Sequence, residues 1–188
     1  MRFVLLTYLL ALLILSSCTD STQQNQPAVY YDVLGFVKRQ ITDLSDQKPV
    51  VTKSVAINEK RNQASTRDIN WERELELFAQ ADINKPALRT SYQIVRPDSL
   101  TYQYTLKNPG EHLAVRSLNV QLDSVTRQPR RITAVLQTSN PLYSSERTLL
   151  LESGPKGGQW RVQHYTLSGY QKLPYFDKNS FLVEGRVQ

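Results

Sequence analysis

The side chains that could do acid–base or metal chemistry in this chain are two histidines and a pair of glutamates. His112 and His164 lie far apart without an H-x-x-x-H spacing, and the chain holds a single cysteine. A zinc site would therefore need both histidines together with scattered carboxylates. Glu72 and Glu76 could act on a glycoside if they lay across a cleft. Four residues apart on one helix face, with Arg73 between them, they are expected to be solvated. We predict no metal site and no acid–base pair.

Motifs for a nucleophile or a phosphate group are equally weak. The G-x-S-x-G pentapeptide of serine hydrolases does not occur. Gly157-Gly158 has neither the spacing of a phosphate loop nor a Lys-Ser/Thr pair after it. His164 alternates with Trp160 and Val162, where a hydrogen-bonded structural histidine is expected rather than a general base. The sequence predicts no catalytic residue and no cofactor.

The amino-terminal residues have the order of an export signal. Arg2 is followed by an apolar stretch from Phe3 to Leu15 and by two small residues, Ser16 and Ser17. A membrane-spanning helix needs about 20 apolar residues. Because this run is shorter and ends in polar residues, a cleaved signal is favoured over a permanent transmembrane helix.

Leu15-Ser16-Ser17-Cys18 resembles the lipobox of bacterial lipoproteins, in which the signal is cut before the cysteine and the cysteine receives a diacylglycerol and a further acyl chain such as palmitate. The resemblance implies a lipoprotein signal peptide over residues 1–17 and Cys18 as the lipidated first residue of the mature protein. The alternatives are an ordinary secretory signal near a cysteine and a short uncleaved anchor. Because Cys18 is the only cysteine, no intramolecular disulfide can form, and the fold must be held by its core.

Three segments resemble envelope lipoproteins of Bacteroidota of uncharacterised activity, namely Tyr31-Asp32, Trp71 to Phe78 and Ala81 to Pro86. The resemblance implies an address in the cell envelope and no mechanism. Surface-exported relatives commonly carry an acidic cluster after the lipidated cysteine, and here only Asp20 is present, which favours a protein that faces the periplasm. Thr19 directly after the cysteine favours the outer membrane under the proteobacterial sorting rule.

Charge and composition divide the rest of the chain into a short linker and one domain. The formal net charge is +6, and loss of residues 1–17 removes one basic residue and no acidic one, which leaves +5. Beside a membrane such a surface favours anionic lipids or acidic polymers, and nucleic acid is not an expected partner. Residues 18–27 are polar without a hydrophobic period, so we predict a lipidated cysteine and a flexible tether there. Residues 28–188 are predicted to form a single α+β domain.

Two amphipathic helices are predicted. The first has apolar residues at spacings of four and three, which predicts a face packed on a sheet: Tyr30, Leu34, Val37, Ile41 and Leu44. The second carries Trp71, Leu75 and Phe78 on one face, with Asp68 as its N-cap and its end before Pro86.

From residue 51 onward, period-two alternation predicts strands. A strand over Val51 to Ile57 is followed by a polar segment, Asn58 to Arg67, which is predicted to be a loop. Alternating stretches separated by short turns continue from Leu88, with a turn at Gly154 to Gly158. Strands joined by short turns run antiparallel. The predicted fold is therefore α+β, with one or two N-terminal amphipathic helices packed on a curved antiparallel β-meander of about seven or eight strands.

Two segments between regular elements are candidates for contact with another molecule. Leu173-Pro174-Tyr175-Phe176 is an apolar, aromatic run between two strands, and such loops often touch a partner or a bilayer. The alternative is a plug over an open end of the sheet. Asp82, Asn84 and Lys85 follow the second helix, where Asp and Asn side chains bond nearby backbone as a stop and turn. The alternative there is a polar recognition corner.

Together these features predict a lipid-anchored protein of the cell envelope, at the outer membrane and facing the periplasm, that acts as a non-enzymatic binding or assembly accessory module. Its expected partners are the membrane, through the lipid on Cys18, and an envelope protein or a lipid. The layout is also similar to periplasmic lipoprotein carriers, whose half-barrel sheet and covering helices enclose an acyl-chain pocket, so a carrier of a lipid or other apolar ligand is the alternative. An envelope hydrolase is the third choice. An apolar cavity would favour the carrier, and a filled core with an exposed aromatic patch would favour the interaction module.

Overall fold

The computed structural model describes residues 28–188. The helices in this part of the chain are α1 (Val33–Gln47), α2 (Trp71–Glu74) and α3 (Glu76–Gln80), followed by a 3-10 turn at Pro86–Leu88. The strands are β1 (Val51–Ile57), β2 (Lys60–Thr66), β3 (Tyr92–Val95), β4 (Thr101–Leu106), β5 (Val115–Leu122), β6 (Pro129–Ser139), β7 (Ser144–Lys156), β8 (Gln159–Lys172) and β9 (Asn179–Val187). Between residues 28 and 188, no helix has the length and apolar character needed to cross a membrane.

All nine strands form one sheet in the order β2-β1-β9-β8-β7-β6-β5-β4-β3, and every neighbouring pair is antiparallel. The predicted α+β class with an antiparallel sheet is confirmed. The predicted number of strands is too low. Strands β3 to β9 follow one another as a meander, whereas β9 pairs with β1 and so joins the β1–β2 hairpin to the sheet. Helix α1 precedes the sheet, but α2 and α3 follow that hairpin.

The unpredicted strand is β2, which lies within the segment expected to be a loop. It pairs with β1 along its whole length, from Ile57 opposite Lys60 to Val51 opposite Thr66. Its side chains are exposed except for Thr66, which is half-buried. Because neither face of β2 lies on the core, its sequence needs no apolar alternation. A polar edge strand also resists pairing with other chains.

The core face of α1 differs from the predicted stripe. Leu34 and Ile41 are only half-buried, and the buried residues of the helix are Val33, Phe36, Val37, Gln40 and Leu44. Gln40 is inside because both ends of its amide are bonded to β8. Its Nε2 donates to the carbonyl of Trp160 at 3.0 Å, and its Oε1 accepts from the backbone N of Val162 at 2.7 Å. A polar side chain thus occupies a core position that hydrophobic periodicity does not reveal.

The second predicted helix is split in two. Its three predicted core residues are buried: Trp71, Leu75 and Phe78. Asn70, and not Asp68, is the N-cap of α2, and its Oδ1 accepts a hydrogen bond from Arg73 N at 3.0 Å. Leu75 interrupts the helix, with a ψ of 8°.

One face of the sheet packs against the helices and the other faces away. Val120, Ile132, Leu151 and Tyr165 are register partners across β5 to β8 and are all buried. They belong to the same hydrophobic core as the buried residues of α1, α2 and α3. Side chains alternate along a strand. The next row of partners, which contains Arg131, Glu152 and His164, therefore points away from the helices.

The turns of the sheet lie at two ends. The β6–β7, β8–β9 and β1–β2 connections share one end, as their closing pairs show: Ser139 with Ser144, Gln171 with Asn179, and Ile57 with both Lys60 and Phe181. The β5–β6 and β7–β8 turns lie at the opposite end. The β7–β8 turn is Gly157-Gly158, with φ of 57° and 78°, so Gly154 and Pro155 of the predicted turn belong to β7.

Helix α1 runs from the first end of the sheet towards the second. Tyr30, just before the helix, accepts a hydrogen bond through its hydroxyl from Tyr92 N at 3.3 Å, and Tyr92 pairs with Leu106, the last residue of β4. At the other end of the helix, Gln47 Nε2 lies 3.4 Å from Oε1 of Gln159, the first residue of β8. The described chain therefore enters the fold at the end of the sheet that carries the β6–β7 and β8–β9 turns.

Candidate functional site

The β8–β9 connection exposes the apolar run predicted as an interaction loop. Phe176 N donates to the carbonyl of Leu173 at 3.3 Å and closes a four-residue turn. Pro174 occupies its second position, and Tyr175 occupies its third with a φ of 65°. This is the pattern of a type II turn, whose third position favours Gly or Asn. Tyr175 is fully exposed and Phe176 is 66% exposed. The loop does not plug the open end of the sheet.

Two neighbouring turns present apolar side chains at the same end. Leu142, in the β6–β7 turn, is 75% exposed and follows Pro141, and Asn140 Oδ1 holds that turn by accepting from the backbone N of Leu142 at 2.9 Å. Ile57 is exposed at the tip of the β1–β2 hairpin. We call the set of five exposed side chains the apolar end: Ile57, Leu142, Leu173, Tyr175 and Phe176.

Hydrogen bonds tie the hairpin tip to the start of β9. Asn58 N donates to the carbonyl of Ser180 at 2.9 Å, and Asn58 Oδ1 accepts from Ser180 N at 3.0 Å. Ile57 and the β8–β9 turn are therefore held on adjoining strands. Ile57 and Leu142 could not be predicted from the sequence as part of this end, because strand pairing places their turns beside the turn that carries Phe176. One local signal was present, since a proline directly precedes both Leu142 and Tyr175.

Lysines flank the aromatic part of the apolar end. Residues 171–180 are all exposed, and their charged members are Lys172, Asp177 and Lys178. The ammonium of Lys178 lies 4.2 Å from the centre of the Tyr170 ring, a cation–π contact that places the charge beside the turn.

The predicted polar corner is used inside the protein. Asn84 Oδ1 accepts from Tyr30 N at 2.9 Å, and Asn84 Nδ2 donates to the carbonyls of Tyr30 and Tyr31 at 3.2 and 3.1 Å. Asp82 is buried, and its Oδ1 accepts from Asn84 N at 3.2 Å. Of the three corner residues only Lys85 is exposed. The corner fastens the start of the described chain to the segment after α3, so the Asn84 amide is already hydrogen-bonded within the fold.

His164 lies in a row of charges on the face of the sheet away from the helices. Its Nδ1 is 3.0 Å from Glu152 Oε2, and its Nε2 is 3.2 Å from Glu184 Oε1. Arg131 donates to Glu152 through Nε at 3.0 Å and Nη2 at 2.6 Å. Arg186 Nε donates to Glu184 at 2.9 Å. Hydrogen bonds from Arg131 and then His164 hold the pKa of Glu152 below its usual value. Each carboxylate has one arginine partner and one contact with His164, so the row is accounted for as a network of hydrogen bonds and ion pairs on β6 to β9.

The other residues considered for chemistry are not brought together. His112 is exposed in the β4–β5 connection, and Glu72 and Glu76 are exposed on α2 and α3. Between residues 28 and 188 no group of three or more His, Cys, Asp or Glu side chains could hold a metal ion. Cys18, predicted to carry the lipid, lies outside the described residues.

The hollow between the helices and the sheet is small. The hollow there that touches α2 and α3 is about 150 Å³, and its lining includes the charged residues Lys53, Arg73 and Glu74 as well as Leu77 and Tyr165. Lys53 Nζ and the Tyr165 hydroxyl both donate to Glu74, at 2.7 and 2.8 Å. Burial, and then the Glu74 carboxylate, raises the pKa of Tyr165, which therefore remains a neutral donor. A larger hollow of about 640 Å³ lies at the β1–β2 hairpin, away from the core.

Comparisons with protein-family models, with curated proteins and with solved structures found no match to this chain.

Proposed function

We propose that this chain is a lipid-anchored protein of the cell envelope, at the outer membrane and facing the periplasm, that acts without catalysis as a binding or assembly accessory module. The lipid is carried by Cys18. The contact site is the apolar end, together with its flanking lysines.

The observation that carries this proposal is the exposure of large apolar side chains on a protein that already has one extensive hydrophobic core. Twenty-five buried hydrophobic residues form one cluster, so the five residues of the apolar end are not needed to complete it. Apolar side chains gathered on neighbouring turns mark a contact with another molecule.

The alternative of a carrier has less support. A carrier needs an apolar cavity between helices and sheet, but the hollow beside α2 and α3 is too small for an acyl chain. Ligand pockets usually measure about 300–1,000 Å³. The ion pair between Lys53 and Glu74 also places charged groups in the lining of that hollow.

The anchor is tested by Cys18→Ser. We expect the variant to accumulate as a larger, unlipidated precursor or as a soluble product, because the acceptor thiol is lost. Membrane fractionation and mass spectrometry of the amino terminus measure this. A variant that stays with the membrane through a mature amino terminus elsewhere would overturn the lipoprotein assignment.

The binding role is tested by placing a photo-crosslinking amino acid at Phe176 or, as a control, at Val125. Val125 is 86% exposed in the β5–β6 turn at the opposite end of the sheet. We expect adducts from position 176, with either a protein or a lipid, that do not form from position 125. Equal adduct yields from both positions would remove the apolar end as the contact site.

A further inference from the structure

The side chains of the apolar end stand on three different turns of the sheet. Leu142 and Phe176 stand on different turns, and Ile57 stands on a third. A rigid protein partner would need a matching pocket for each turn, whereas a fluid lipid surface accommodates the three turns without complementary shape. Aromatic side chains with nearby lysines are also the residues that favour the boundary between headgroups and acyl chains.

Tyr175 adds a second observation. Its φ of 65° lies in the left-handed region, which costs an ordinary L-residue free energy and favours Gly or Asn. The side chain is fully exposed, so the fold gains no packing in return. An aromatic residue kept at a strained position without internal contacts points to a partner outside the fold.

The position of the predicted lipid relates the apolar end to the bilayer. Nine residues separate Cys18 from Ala28, the first described residue, and even fully extended they would span about 30–35 Å. Strand β8 has 14 residues, which corresponds to about 46 Å at a rise of about 3.3 Å per residue. The described chain begins at the same end of the sheet as the apolar end, beside β3 and β4. The connection is shorter than β8. It therefore reaches the bilayer more readily when the apolar end faces the bilayer than when the opposite end does.

We propose that the partner of the apolar end is the surface of the bilayer in which Cys18 is anchored, with Tyr175, Phe176, Leu142 and Leu173 inserted at the headgroup boundary and Lys172 and Lys178 on anionic headgroups. This inference rests on the proposed lipid anchor. Two attachments to one bilayer orient the domain, so that the face carrying His164 stands at a steep angle to the membrane and is left free.

The test uses the full chain, purified with its native lipids and reconstituted into vesicles of phosphatidylethanolamine and phosphatidylglycerol with brominated acyl chains. Two variants carry one added tryptophan each, Phe176→Trp at the apolar end and Val125→Trp at the opposite end. The native Trp71 is buried and Trp160 is partly buried, and both are present in each variant and in the wild type. Their emission is therefore subtracted by comparison with the wild-type chain.

We expect bromine to quench the tryptophan at position 176 at least about twofold more than the one at position 125, because an interfacial side chain lies about 5–10 Å into the headgroup boundary. Equal or reversed quenching would overturn the docking proposal. It is also the result expected if the partner of the apolar end is a protein. Flotation of the same samples reports the anchor separately. A full chain that fails to float overturns the proposed anchor, whereas a chain that floats with equal quenching is anchored but not docked.

Discussion

Tyr175→Asn should make the protein more stable while weakening its external contact. The tyrosine side chain is fully exposed, so its removal gives up no packing. Its left-handed backbone costs an L-residue about 1–2 kcal/mol, and asparagine tolerates that conformation better. We expect the free energy of unfolding to rise by about 0.5–1 kcal/mol, which for a domain of this size raises the melting temperature by roughly 1–4 °C.

Thermal and urea unfolding followed by circular dichroism measure this change, with Tyr175→Ala as the matched control. Alanine removes the same ring but keeps the backbone cost, so its stability should stay within about 0.5 kcal/mol of the wild type. Both variants should lose the crosslinks or lipid quenching measured at Phe176. If both variants are destabilised by about 2 kcal/mol or more, the ring packs against the fold and the assignment of the apolar end as a contact site is wrong.

Two further predictions concern the sheet. Gly185→Ala should lower the free energy of unfolding by about 1–3 kcal/mol, because a Cβ there would overlap the Tyr165 ring. Urea unfolding measures this, and an unchanged urea midpoint would show that the ring moves aside at no cost. The hydrogen bonds from Arg131 and His164 to Glu152 favour its ionised form, so their stabilisation is present at neutral pH and is lost as pH falls below the usual pKa of 4.5. Glu152→Gln should therefore be less stable than the wild type at pH 7 and approach it in acid, and a difference that does not shrink with acid would contradict this account.

Local periodicity was enough to predict the elements that touch the core. The buried trio Trp71, Leu75 and Phe78 was predicted from spacing, and the alternation through β4 to β8 predicted an antiparallel sheet with one buried face. These predictions succeed because a helix or strand that buries one face repeats its apolar residues with its own period. The run Leu173 to Phe176 was also recognisable from the sequence. Its apolar residues lie in a connection between two predicted strands, where neither helix nor strand periodicity explains them.

Tertiary structure decided the rest, because its contacts join residues with no common local pattern. Strand β2 is almost entirely polar and is a strand only because β1 pairs with it. Strand β1 belongs to the sheet because β9 returns to it from more than 100 residues away in sequence. Gln40 is buried because β8 supplies partners for its amide. The apolar end exists for the same reason: Leu142, Phe176 and Ile57 come from distant parts of the sequence, and the register of the strands between them brings their turns to one end of the sheet.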